Sequence, residues 1–203
     1  MTTREEMLET IRRYGVVDER VLAVLAGVDR AKFIAKEWKG VAYEDRPIPI
    51  GHEQTISQPY TVARMIELLV QSAKFIVQSS KVLEIGTGSG WQTGILAKLF
   101  AQVYSVEVIP ELAERAGEIL GKLKVQNAKL KVGDGKEGWR EFAPYDGIIC
   151  GANAQEAPRA WVQQLSEGGR IVVPVQEVMT RGTKVKGEMK WESFEKYMFV
   201  PLV

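Results

Sequence analysis

Lys81-Val-Leu-Glu-Ile-Gly-Thr-Gly-Ser-Gly-Trp91 is the stretch from which the rest of the chain is read. A short apolar run ends in three glycines at alternate positions, 86, 88 and 90, and residues 91–100 that follow have helical character. A strand, a glycine bend and a helix in that order form the ligand-binding turn of an open parallel sheet. Glycine lets the backbone turn tightly there and lie close to a ligand. A dinucleotide fingerprint would need glycine at position 91, where Trp91 stands. A phosphate-binding loop would need Lys and then Ser or Thr after the last glycine, where Trp91-Gln92 stand. No phosphate clamp is present in this bend.

Toward the C-terminus the alternation continues. Strands are expected at residues 102–107, 128–132, 145–150 and 170–175, the last entered through Gly168-Gly169, and helices at 110–120 and 158–165. Such alternation implies right-handed crossovers and a parallel sheet covered on both faces. Residues 183–203 carry no helical stripe and read as one or two antiparallel strands at the far edge. Toward the N-terminus, helices are expected at residues 4–14 and 18–27, with Asp18 as an N-cap and Gly15 and Gly27 as stops. Residues 41–58, broken by Pro47, Pro49 and Gly51, read as irregular, and a helix runs from Pro59 to about Gln71. The fold class is α/β: a doubly wound, mostly parallel sheet with an antiparallel C-terminal edge and a small N-terminal helical extension. A single domain is expected, made of N-terminal helices and a loop (1–58), an α/β core (59–175) and edge strands (176–203).

Composition narrows the function. With 203 residues, 45% hydrophobic and 26% charged, the chain can fill one sizeable core, which excludes a disordered tail, a collagen-like fibre or a disulfide-stapled scaffold. Lys and Arg total 27 against 26 for Asp and Glu, so no global field attracts nucleic acid or anionic membranes. One cysteine, Cys150, and one histidine, His52, argue against an internal disulfide and against a zinc site. The first seven residues carry two acids and no apolar run, unlike a secretory signal. The most apolar stretch, 62–77, contains Arg64, Glu67 and Lys74, so it is not read as a membrane span. The expectation is a soluble cytoplasmic protein, a monomer, without metal, nucleic-acid or membrane partner.

Ligands in such sheets bind beyond the carboxyl ends of the strands. Glu107 ends the second strand 17 residues after Gly90, where a carboxylate can accept both hydroxyls of a ribose; the alternative is a surface Glu. Asp134, in Gly133-Asp134-Gly135, can accept from an adenine amine, or it belongs to a plain Asp-Gly turn. Together with the glycine bend they suit a nucleoside cofactor without a pyrophosphate. Ser57 either caps the helix at Pro59 or bonds a substrate; no His–Asp pair accompanies it, so it is not read as a nucleophile. His52 reads as a loop residue and Cys150 as a small buried apolar group. Trp91 either packs under its helix or touches the cofactor. Asn153, Gln155 and Pro158 lie in the loop after the fourth strand, where substrate contacts belong.

These motifs carry a family resemblance. Val82-Leu-Glu-Ile-Gly-Thr-Gly-Ser-Gly-Trp-Gln92, Glu107 and Gly133-Asp134-Gly135 resemble the S-adenosylmethionine motifs of class I methyltransferases. Gly51-His-Glu-Gln-Thr-Ile-Ser-Gln-Pro-Tyr60 resembles the signature of protein-L-isoaspartate O-methyltransferases, as do Glu167-Gly-Gly-Arg-Ile-Val-Val-Pro-Val175 and Phe199-Val-Pro-Leu202. The chain departs from that pattern at residues 151–155 and 176–182, and at Tyr60, where relatives frequently have His. The resemblance implies a Rossmann-like fold and methyl transfer from S-adenosylmethionine to the free α-carboxylate of L-isoaspartyl residues in damaged proteins. The ester would then close to a succinimide, which begins repair. It further implies Ser57 as the catalytic residue, with Ser57, Gln58, Pro59 and Asn153 toward the substrate. Thr55, Ile56, Glu84, Gly86, Thr87, Gly88, Gly90, Glu107, Val108, Asp134 and Gly135 would face the cofactor. The alternative is a methyltransferase for RNA or a small molecule. The Asn/Asp-Pro-Pro-Tyr motif of base methylation is missing where Gly151-Ala-Asn-Ala154 stands.

Overall fold

The two N-terminal helices form as α1 (Arg4–Arg13) and α2 (Glu19–Gly27). Thr3 and Glu6 close a capping box on α1, and the Asp18 carboxylate caps α2 by accepting from the Arg20 amide. The computed structural model describes residues 1–71 and 79–202; Lys74 and the rest of 72–77 in the apolar stretch, and Val203, lie outside them. Where irregular chain was expected, residues 48–56 form an antiparallel hairpin of β1 (Ile48–Gly51) and β2 (Gln54–Ile56). Its turn holds His52 and Glu53 at φ of 52° and 58°. Asn-Gly or Asp-Gly normally signals such a turn, and neither is present here. The helix α3 (Pro59–Val70) then starts with Pro59 in its first turn.

The core alternates as β3 (Lys81–Ile85), α4 (Trp91–Leu99), β4 (Gln102–Glu107), α5 (Pro110–Lys122), β5 (Ala128–Val132), β6 (Tyr145–Cys150), α6 (Arg159–Gln164) and β7 (Leu165–Val175). β8 (Val178–Val185) and β9 (Glu188–Lys196) complete a seven-stranded sheet in the order β5-β4-β3-β6-β7-β8-β9. All pairs through β7 are parallel and the last two antiparallel. Strand order reverses at β3: the chain first winds outward through β4 and β5, then returns to the other side through β6. Ligands of open α/β sheets bind at such a reversal.

Side chains alternate across the sheet with period two, and each face has its own cover. Val82, Val103, Ile149 and Val172 join the core with α1 to α5, whereas Leu83, Tyr104, Ile148 and Ile171 join Trp161 of α6 and the tail residues Val200 and Leu202. The C-terminal region corrects the expectation. β7 begins at Leu165, so that Gly168 and Gly169 lie within it, and β8 begins five residues before Thr183. The turn between them is a two-residue loop with Gln176 and Glu177 at φ of 49° and 68°. Residues 199–202 do not extend the edge. They cross back over the sheet, where Asn153 N–H donates to the Val200 carbonyl at 2.7 Å and Leu202 N–H to the Asn153 carbonyl at 2.8 Å.

Candidate active site

The glycine bend is held from two sides. Gly86, Gly88 and Gly90 sit at φ of 87°, 51° and 84°, a region that side chains other than glycine rarely adopt. In front, the two Glu107 oxygens accept from Gly88 N–H at 2.7 Å and Ile109 N–H at 3.1 Å. Behind, fully buried Glu84 accepts from Thr93 Oγ1 at 2.5 Å, Ser105 Oγ at 2.7 Å and Gln92 Nε2 at 3.2 Å. Burial pushes its carboxyl up to about 7, against the pull of these donors.

A crevice opens at the strand reversal. Gly86, Gly88, Glu107, Val108, Thr55 and Gly135 line it, with Gln54, Ile109, Leu112 and the tail residues Val200, Pro201 and Leu202. Apolar walls with a few polar groups among them are the make-up of small-molecule sites. A second crevice adjoins it, lined by Ser57, Gln58, Thr61 and residues 198–200. A narrow recess with Ile56, Ser57, Thr87, Gly88 and Trp91 in its wall connects the two, and Thr55 and Gly151 line all three. Ser57 therefore stands at the junction. Gln58, not Ser57, is the N-cap residue of α3, and the Ser57 hydroxyl has no hydrogen-bond partner among the described residues.

The main chain at Ser57 is held by a residue that sequence reasoning missed. Arg30 is fully buried and donates to the carbonyls of Ala42, Arg46, Ile56 and Ser57 at 2.7–3.4 Å, while its guanidinium lies 5.3 Å from the Trp91 ring centroid. Burial lowers its pKa to about 10. Its neighbour Asp29 pairs instead with Arg4 and Tyr43, so nothing in the local sequence marks Arg30. The tail residues in the crevice were missed because they were read as an edge strand.

Several residues assigned to ligands from the sequence have partners within the fold. Glu84 lies beneath the bend, and Gly90 packs on α5, where a Cβ would stand 3.1 Å from Ala116 Cβ. Asp134 is exposed and caps a short turn by accepting from Lys136 N–H at 2.8 Å. Pro59 is buried in the first turn of α3. Asn153 Oδ1 accepts from Glu177 N–H at 2.7 Å, so its side chain ties the β7–β8 turn rather than facing the second crevice. Trp91 is buried, with its indole N–H on the Val28 carbonyl at 3.1 Å, and also forms part of the recess wall. The Cys150 thiol is buried and pushed up to about 12, which keeps it protonated and inert.

The site's chemistry follows from this set. Glu107 keeps lone pairs for two hydroxyls beside its amide bonds, and apolar Ile85, Val106 and Leu112 can flank a flat base. A Cβ on Gly86 would meet no atom within 4 Å, so the space beside it is open to a ligand. These features fit a nucleoside cofactor. Among the described residues no group of His, Cys, Asp and Glu could hold a metal ion, and no helix is long and apolar enough to cross a membrane.

Comparison with known proteins agrees over the whole chain. Residues 2–203 match the family described as protein-L-isoaspartate(D-aspartate) O-methyltransferase. The chain is 46% identical to the protein-L-isoaspartate O-methyltransferase of Pelodictyon phaeoclathratiforme, over 98% of this chain and 90% of that one. It is 45% identical to the protein of that name from Methanoculleus marisnigri, over 98% and 91%. A Plasmodium falciparum crystal structure described as that enzyme in complex with S-adenosyl-L-homocysteine superposes with a TM-score of 0.88, at 26% identity, covering 100% of this chain and 99% of that chain.

Proposed function

The chain belongs to the protein-L-isoaspartate(D-aspartate) O-methyltransferase family, and from that premise we propose how its two crevices divide the work. It is an S-adenosylmethionine-dependent carboxyl O-methyltransferase acting on L-isoaspartyl residues. The crevice at Gly86, Gly88 and Glu107 takes the cofactor, and the crevice beside Gln58 and Thr61 takes the isoaspartyl side branch. The position of Ser57 at their junction, with its hydroxyl unpartnered among the described residues, is the observation that carries this reading.

S-adenosylmethionine, when bound, supplies a methyl carbon made electrophilic by the adjoining sulfonium. The acceptor carboxylate is ionised at neutral pH, since its pKa lies near roughly 3 to 4, so the protein needs no general base. His52 on the hairpin turn has no part in the reaction. Ser57 donates to one acceptor oxygen and so fixes the direction of the other, while Arg30 holds the Ser57 main chain rigid. The N-terminus of α3 adds a favourable field for an anion. Glu107 accepts from the ribose hydroxyls. Action on cytoplasmic proteins as a monomer belongs to the same proposal, and the near balance of charge favours a protein over a nucleic-acid substrate.

Methyl transfer to an isoaspartyl peptide compared with its aspartyl twin tests the function. Labelling of the isoaspartyl form alone is expected, and equal labelling of both, or none, would remove the assignment.

A further inference from the structure

Behind the glycine bend, three hydroxyls and one carboxylate form a continuous hydrogen-bonded relay. Glu84 Oε2 accepts from Ser105 Oγ at 2.7 Å and from Thr93 Oγ1 at 2.5 Å, and Ser105 Oγ lies 2.6 Å from Thr87 Oγ1. All four residues are buried, yet Thr87 lines the recess between the two crevices. Each hydroxyl owns one proton, and this fixes the direction of the relay. An ionised Glu84 can only accept, so the Ser105 proton points at Glu84. Ser105 can then only accept from Thr87, so the Thr87 proton points at Ser105. Thr87 Oγ1 is left with lone pairs alone for any further partner.

We propose that Glu84 and Ser105 are positioning residues that act through Thr87. Ionised Glu84 makes Thr87 an acceptor toward the cationic methyl donor, and protonated Glu84 turns the relay around so that Thr87 offers a proton instead. On protonation, Glu84 itself becomes a donor. Ser105 accepts from it and passes its own proton toward Thr87, so the proton count stays balanced along the chain. The donor carries an ammonium and a sulfonium, for which an acceptor is the favourable partner. Among the described residues Glu107, on β4, is the charged group that acts on Glu84, and its negative charge favours the protonated form. The remaining neighbours, Ser105 on β4, Ile149 on β6, and Gln92 and Thr93 on α4, are uncharged. Burial places the Glu84 carboxyl at about 7, so both directions are populated near neutrality.

The inference rests on the reading that this crevice binds the methyl donor, and the test separates the two. Calorimetric titration of the full chain with S-adenosylmethionine between pH 6 and 8.5 is the measurement, on the wild type and on Ser105→Ala and Glu84→Gln. Wild-type affinity is expected to weaken toward pH 6 by about tenfold. Ser105→Ala interrupts the relay while leaving Glu84 two donors, and is expected to lose this dependence; Glu84→Gln, if it folds, is expected to be flat as well. All share the same ligand titration, so that contribution cancels in the comparison. Wild-type binding that ignores pH, or a pH dependence retained by Ser105→Ala, overturns the relay alone. Failure of the wild type to bind at any pH overturns the assignment of the crevice, and the relay with it.

Discussion

Ser57 shows how far one residue could be read in advance. Its type and its place before Pro59 left capping and substrate binding equally open, and the geometry removes capping because Gln58 holds that position. A hydroxyl donating to a carboxylate contributes about 1.5 to 3 kcal/mol, so Ser57→Ala should lower kcat/KM for an isoaspartyl peptide by roughly ten- to a hundredfold. Binding of S-adenosylhomocysteine and the melting temperature should stay as in the wild type; a parallel loss of either would make Ser57 a structural residue. Glu84 was misread for a geometric reason. On a strand of period two it shares a face with Val82, toward α4, whereas the crevice opens at the strand end. Its raised pKa has a defined sign for stability. The folded state holds the proton more tightly than the unfolded chain, so the contribution is full below about 4.5 and is lost as pH rises to about 7. Denaturant titrations across that window should lose roughly 3 kcal/mol from this group, and Glu84→Gln should remove that slope.

At the scale of elements, the central strands and helices were legible because Gly and Pro punctuate apolar runs of the right length. Two of the three hairpins among the described residues were not. The β1–β2 and β7–β8 turns place four non-glycine residues, His52, Glu53, Gln176 and Glu177, in the left-handed region, and none of them signals a tight turn. Pairing along the flanking strands imposes that conformation at a cost near 1 kcal/mol per residue. Glu177→Gly should therefore stabilise the protein by about 0.5 to 1 kcal/mol, read as a higher urea midpoint with an unchanged slope, because the Asn153 contact uses only the backbone N–H of residue 177. A lowered midpoint would show that the Glu177 side chain contributes more than its backbone strain costs.

At the scale of the whole molecule, the tail joins what the fold has separated. Residues 200–202 wall the first crevice and residues 198–200 the second, while Asn153 pins the crossing. Ending the chain at Tyr197 should weaken S-adenosylhomocysteine binding by about tenfold or more and raise KM for the isoaspartyl peptide. The far-ultraviolet spectrum should stay unchanged, since the sheet is complete at Lys196. Unaltered affinity would place the ligand elsewhere. By itself the sequence determined the α/β alternation, the glycine bend at the strand reversal and the family signature around Ser57, because these depend on residue type and spacing along a local run. Only the tertiary structure decided that Arg30 clamps the Ser57 main chain, that Glu84 lies beneath the bend, and that the last residues return to close the site. Those contacts join residues far apart in the chain, and their direction is set by packing, which local sequence does not encode.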